Sequence, residues 1–267
     1  MKFGISQLSI IPVRKDPFER SEMTTQLLFG EHFIATEGCL GWIKIKIAHD
    51  NYEGWIDEKM INYITKRKYN AIDNAAKAVS KEIFQIVLLE DGLQTLVVAG
   101  SSLPLWKSRK KVFSLGSNLK FSYEGTASYN VSIKRIPELL KETATMFLNS
   151  PYLWGGKTPF GTDCSGFVQT IYRICSISLP RDASQQVHTG ETIGFVNETK
   201  FGDLVFFDND QGSITHVGMV WENRKIIHAS GKVRIDSLDQ HGIFNEETKK
   251  YTHKLRTIKR IVEQNND

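Results

Sequence analysis

"GTDCSGFVQTIYRIC", residues Gly161–Cys175, sets a cysteine where a turn gives way to an amphipathic run. Phe167, Val168, Ile171, Ile174 and Cys175 follow at offsets of one, four, seven and eight from the first, the spacing of one helical face. The pattern predicts a helix whose first turn holds Cys164. Free amides and the helix dipole at such a terminus favour a thiolate.

A reactive thiol needs a base, and two histidines lie downstream on strand-like runs. His216 opens "HVGMVW" and His228 sits in "KIIHAS". If Glu222–Arg224 form a three-residue loop, His228 falls opposite Gly218 and both histidines share a face, with Cβ atoms about 7–8 Å apart. A two-residue loop would put them on opposite faces. A cysteine, a histidine and a third polar group that orients the imidazole are the parts of thiol acyl transfer. His32, His49, His188 and His253 have no comparable setting in the sequence.

The rest of the chain supplies the frame. Its 267 residues suit two or three domains of ordinary size. A 40% apolar and 24% charged composition is that of a soluble globular protein able to build a sizeable core. A net charge of +4 fits anionic ligands only weakly and does not call for nucleic acid. The runs "KRK" (66–68) and "KSRKK" (107–111) read as solvated surface.

Up to about Asn130 the text is a series of short strands such as "HFIAT", "WIKIKIA", "EGWID", "FQIVLLE", "QTLVVAG" and "LKFSYEG", the signature of small β-barrels or sandwiches. "IKIKIA" alternates, so one of its faces should be wet. Two half-units are expected, at 1–75 and 76–131, with "NAIDNAAKAVS" as a linker or short helix between them. From about 132 to 267 two amphipathic helices precede strands such as "DLVFFD", "HVGMVW" and "KIIHAS", which is an α+β arrangement. Pro137 suits the first turn of the earlier helix.

The three cysteines, Cys39, Cys164 and Cys175, are odd in number and show no repeated spacing. That argues against a disulfide framework, and without a CxxC pair no structural zinc site is expected. No cofactor is implied. The N-terminus has no secretory apolar core or cleavage site, and Met1 is present, so a cytoplasmic location is expected. No apolar run is long enough to span a membrane.

The segments "GTDCSGFVQ", "GDLVFF", "ITHVGMV" and "IIHAS", in this order and spacing and after an entry motif "PYLWGG", resemble the NlpC/p60 cysteine peptidases over roughly Ile133–Val262. "SEMTTQLLFGE" and "YEGWI" resemble the bacterial SH3-like domains that precede the peptidase in some members. The resemblance implies an α+β, papain-like catalytic domain preceded by one or two SH3-like barrels. It points to the γ-D-glutamyl-L-diamino acid endopeptidases of murein-peptide recycling. The implied partner is a murein peptide, L-Ala-γ-D-Glu-diamino acid, with no nucleic acid and no membrane.

By the same resemblance Cys164 is the nucleophile, His216 the base and His228 the group that orients it, with Tyr152 beside the oxyanion. Asp163 and Tyr52 would hold the free ammonium of L-Ala, and Glu31 is a second acid for that task. Asp163 also suits a helix N-cap. Arg181 would pair with the D-Glu carboxylate, beside Asp182 and Ser165 in the cleft. Relatives often have serine after that aspartate. Here it is Ala183, with Ser184 as a substitute. Competing readings are an amidase or acyltransferase on the same scaffold and a non-catalytic cell-wall binder.

Overall fold

A computed structural model describes residues 2–89, 92, 94–116 and 120–262. Glu90 and Leu119, in two of the strand-like runs quoted above, lie outside the described residues. Seven strands form the first sheet: β1 (Lys2–Ile5), β2 (Ile10–Arg14), β3 (Met23–Leu28), β4 (His32–Cys39), β5 (Trp42–Ile47), β6 (Glu53–Asp57) and β7 (Asn62–Ile64). Their order is β3-β2-β6-β5-β4-β1-β7. Alternation sets the two faces of β5. Ile45 and Ile47 are buried beside Ile11, Val13, Leu27, Phe33 and Ile56, while Lys44 and Lys46 lie on the opposite, half-exposed face.

Helix α1 (Lys66–Asp73) then leads to a second group of strands. These are β8 (Val79–Ser80), β9 (Phe84–Leu89), β10 (Gln94–Val98), β11 (Val112–Ser114), β12 (Lys120–Ser122) and β13 (Ala127–Ser128). Four of them pair in the order β10-β9-β12-β11, and β13 pairs with β8. The core here is shared with the first sheet. Phe29 packs edge-on against Phe113 and Phe121, at 5.8 and 5.6 Å between ring centroids, and those two rings stack at 5.0 Å.

The C-terminal part begins with α2 (Ile136–Met146), whose second residue is Pro137, and the short pair β14 (Lys157–Thr158) and β15 (Gly161–Thr162). Helix α3 (Cys164–Ile174) and the single turn α4 (Ala183–Gln186) follow. Phe167, Val168, Ile171 and Ile174 of α3 are fully buried, each contributing about 1.5–3 kcal/mol by leaving water. They pack with α2 onto one face of the final sheet.

That sheet holds β16 (Glu191–Ile193), β17 (Leu204–Asp208), β18 (Ile214–Val220), β19 (Lys225–Ser230), β20 (Lys232–Leu238), β21 (Gly242–Asn245) and β22 (Lys250–Arg260). The order is β16-β22-β17-β18-β19-β20-β21, and β21 also pairs with β22, so six strands close on themselves. Val205, Phe207, Val220, Ile226, Leu238, Ile243 and Ile258 fill the enclosed side. Register shifts at Phe206/Phe207 and Ile243/Phe244 bend the pairing of β22 as it completes the ring.

Candidate active site

Asp163 is the N-cap of α3. Its Oδ1 accepts the Gly166 amide at 2.7 Å, and Cys164 is the first residue of the helix. The thiol is buried and hydrogen-bonds the backbone at Val217, the residue after His216, and at Ser165. Burial, and then the charge of Asp163, push this thiol up to about 11. The backbone hydrogen bonds and the charge of Arg181 act in the opposite direction, toward the thiolate that the helix terminus favours.

The histidines meet as the three-residue loop requires. Gly218 pairs with His228, Val220 with Ile226, and the Trp221 amide bonds the Lys225 carbonyl, leaving Glu222–Arg224 as the loop. His216 Nε2 and His228 Nδ1 are 2.8 Å apart. Gly218 makes this possible, because a Cβ there would stand 2.9 Å from the His228 Cβ. His228 turns its other nitrogen to Asp236, with Nε2 3.0 Å from Oδ2. Thus His228 faces His216 and Asp236, with the thiol on neither of its nitrogens' hydrogen bonds.

His253 belongs to this site, although its sequence setting gave no sign of it. Its ring stacks on His216 at 4.1 Å between centroids and 26° between planes, and Phe207 lies edge-on to it at 5.8 Å. Burial, then the neighbouring rings of His228 and His253, hold His216 well below the usual histidine range. Burial takes His253 down to about 4. Both rings are neutral at physiological pH. Ligand atoms of His216, His228 and His253 come within 4.8 Å of one another.

Cys164 opens onto a cleft of about 810 Å³ between the first sheet and the C-terminal part. One wall brings Lys15, Glu22, Thr24, Lys44, Tyr52 and Glu53; the other brings Tyr152, Asp163, Ser165, Arg181, Asp182 and Ser184. Tyr52 hydrogen-bonds Asp182 and Thr24, and burial and the Asp182 charge push its hydroxyl up to about 12. Tyr152, 36% exposed, is also pushed up to about 12 by burial and then by Cys164 and Asp163, so it is a neutral donor. Trp154 is 59% exposed and donates its indole N–H to Glu22 at 2.8 Å, a tie between the walls in place of core packing.

One expected role is narrowed and another is corrected. Arg181 is 1% exposed, and its guanidinium is committed. Nη1 and Nη2 grip Asp163 at 3.0 and 2.6 Å, Nη1 also reaches Ser165 Oγ at 2.9 Å, and Nε reaches Thr25 of the first sheet at 2.8 Å. A fork so engaged has one Nη2 hydrogen left for a substrate carboxylate in place of the bidentate pair expected. Glu31 is not a cleft acid. It is fully buried, accepting from Lys157 Nζ at 3.1 Å, from Arg173, from His49 Nε2 at 3.0 Å and from the Leu28 amide at 2.8 Å. This cluster fastens β14 and α3 to the first sheet, beside a separate hollow of about 380 Å³.

Asp163 has little left for a ligand, since Gly155, Gly166, Ser165 and Arg181 all donate to it. Asp182 is different. Burial and the Asp163 charge raise its carboxyl despite Arg181, the mark of a negative charge lacking full compensation. Two carboxylates against one guanidinium leave this end of the cleft one charge negative.

Residues 149–253 match the NlpC/P60 family, and residues 13–61 match the bacterial dipeptidyl-peptidase Sh3 domain. A probable endopeptidase NlpC homolog of Haemophilus influenzae is 32% identical over 170 residues, which is 58% of this chain and 90% of that protein. A gamma-D-glutamyl-L-lysine dipeptidyl-peptidase of Bacillus cereus is 28% identical over 261 residues, 85% of this chain and 74% of that one. The crystal structure of an NlpC/P60 family protein from Bacillus cereus shares the fold, with a TM-score of 0.81 at 22% identity over 98% of this chain and 100% of that one.

Proposed function

This chain belongs to the NlpC/P60 family of cysteine peptidases, and we propose that it cuts the bond between γ-D-Glu and a diamino acid in murein peptides that carry a free N-terminal L-Ala. The observation that carries the reading is the composite cleft, in which a separate sheet faces the nucleophile and closes one end with Tyr52 and Asp182. The ammonium of L-Ala would supply the charge which that end lacks, held by Tyr52 and Asp182 with Asp163 behind them. The gamma-D-glutamyl-L-lysine dipeptidyl-peptidase among the relatives supports the same bond. The ranges 1–75, 76–131 and 132–267 are proposed as two SH3-like units and the peptidase.

In the reaction, Cys164 Sγ attacks the γ-carbonyl carbon as its proton passes to His216. The oxyanion is met by the Cys164 backbone amide and the Tyr152 hydroxyl. His216 returns the proton to the departing amine of the diamino acid, leaving a γ-glutamyl thioester. Water then gives its proton to His216, attacks the thioester and releases L-Ala-D-Glu with the thiol restored. Ser165 and Ser184, which line the cleft, offer hydroxyls to the rest of the peptide.

No helix among the described residues is long and apolar enough to cross a membrane. A role in recycling cytoplasmic murein fragments is proposed from the substrate end that the cleft favours. Mass spectrometry of products from L-Ala-γ-D-Glu-diaminopimelate, its lysine counterpart and their N-acetylated forms tests the reading. Free diamino acid is expected from the first two only. Equal cleavage of an acetylated peptide removes the amine site, and release of some other product favours an amidase or acyltransferase. Cys164→Ala should abolish turnover and Cys175→Ala should leave it largely intact; equal loss from both overturns the nucleophile.

A further inference from the structure

We infer that Asp236 is a positioning residue that fixes the tautomers of His228 and His216 and so decides which nitrogen of His216 serves as the base. The inference rests on the assignment of Cys164 and His216 as nucleophile and base. Asp236 is 4% exposed, on β20, opposite Ile226 and on the same face as His228. Arg234, two residues earlier, holds it in a fork, with Nε 2.7 Å from Oδ2 and Nη2 3.0 Å from Oδ1. Arg234 is itself anchored by Glu247 at 3.2 Å. A carboxylate held by a guanidinium is ionised and can only accept hydrogen bonds.

The rest follows in order. His228 Nε2, 3.0 Å from Asp236, must carry a hydrogen. A neutral His228 then has its lone pair on Nδ1. That atom, 2.8 Å from His216 Nε2, obliges His216 to carry its hydrogen on Nε2. His216 Nδ1 is left with the lone pair, and Nδ1 takes the thiol proton. The proton goes no further: Nε2 keeps its own hydrogen, and the new imidazolium faces the Asp236 carboxylate through His228. The charged and titratable groups around the relay are His216 on β18, His253 on β22, Arg234 on its own strand, Glu247 after β21 and Cys164 on α3.

Asp236→Asn in the full chain tests this. An asparagine can turn its NH₂ to His228, reverse that ring's tautomer and push the hydrogen of His216 onto Nδ1. We expect kcat to fall about ten- to a hundredfold with KM nearly unchanged, the usual scale for a residue orienting another. The acidic limb of kcat/KM should move to lower pH, because the imidazolium loses its facing carboxylate. Nitrogen-15 NMR should show His216 as the Nε2–H tautomer in the parent and as a mixture in the variant, and Asp236→Glu should recover part of the rate. Arg234→Gln, which leaves the carboxylate unpinned, should move the same readouts less and serves if Asp236→Asn folds poorly. An unchanged His216 tautomer, or unchanged kcat, in the folded variants overturns the inference. Cys164→Ala separates the two readings: full loss of turnover with a parental His216 tautomer upholds both, whereas residual turnover sinks the nucleophile and leaves the tautomer measurement to judge Asp236.

Discussion

Burial drives both Cys164 and its proposed base, His216, toward their neutral forms. The base must be neutral to act, so activity should persist below the ordinary histidine pKa of about 6.5, and the acidic limb of kcat/KM should lie below that value. A limb at or above it would show that the imidazole is more solvated than its position indicates. His253 contributes by covering one face of His216. His253→Phe keeps an aromatic cover and should retain most activity, while His253→Ala admits water and should move the limb upward toward 6.5. Tyr52→Phe should lower kcat/KM for the free-amine peptide by about 1 kcal/mol, the net worth of one hydrogen bond, with the N-acetylated peptide left uncut by parent and variant alike.

At the scale of elements, the hairpin of β18 and β19 and the loop before α3 decide whether these groups meet. Gly218→Ala would press a methyl against the His228 Cβ at 2.9 Å. It should cut kcat far more than it lowers the midpoint of thermal unfolding. Gly155 has φ +75°, and a Cβ there would come 2.3 Å from the Met23 carbonyl of the first sheet. Gly155→Ala should therefore loosen the cleft wall and raise KM. The helix start, the odd-length loop and the pairing of Gly218 with His228 were legible in the sequence because they depend on short-range periodicity and turn length. His253 was not. It reaches His216 only because six strands close into a ring and β22 shifts register on the way, and neither event leaves a local trace. Asp236 was hidden for the same reason, since it meets His228 only across the pairing of β19 with β20. Glu31 was misread because its partners Lys157 and Arg173 lie more than 100 residues away, and Arg181 is engaged both by Thr25, 156 residues distant, and by Asp163 and Ser165 across the turn between α3 and α4.

For the whole molecule, acid should act through histidine. His216, His253, His49 and His32 are all held below their ordinary pKa, burial being the first cause in each. Unfolding restores values near 6.5, so below that pH the unfolded chain binds protons that the folded chain refuses. The stability they provide is full above about pH 6.5 and is lost as pH falls toward 4, where His253 itself titrates. Melting temperature measured from pH 7.5 to 4.5 should fall through that window, and a flat profile would contradict it. The interface between the parts depends equally on buried charge. Glu31→Ala strands Lys157, 2% exposed, and should cost about 3–5 kcal/mol in denaturant unfolding. Lys157 and Arg173 come from the peptidase part and Glu31 from the front sheet, so neither side of the cluster is complete in its own sequence. Recombination between genes is thereby constrained: a peptidase segment transplanted behind a foreign front module arrives with two cations and no acid to receive them, and such chimeras should misfold unless positions 157 and 173 are made apolar together.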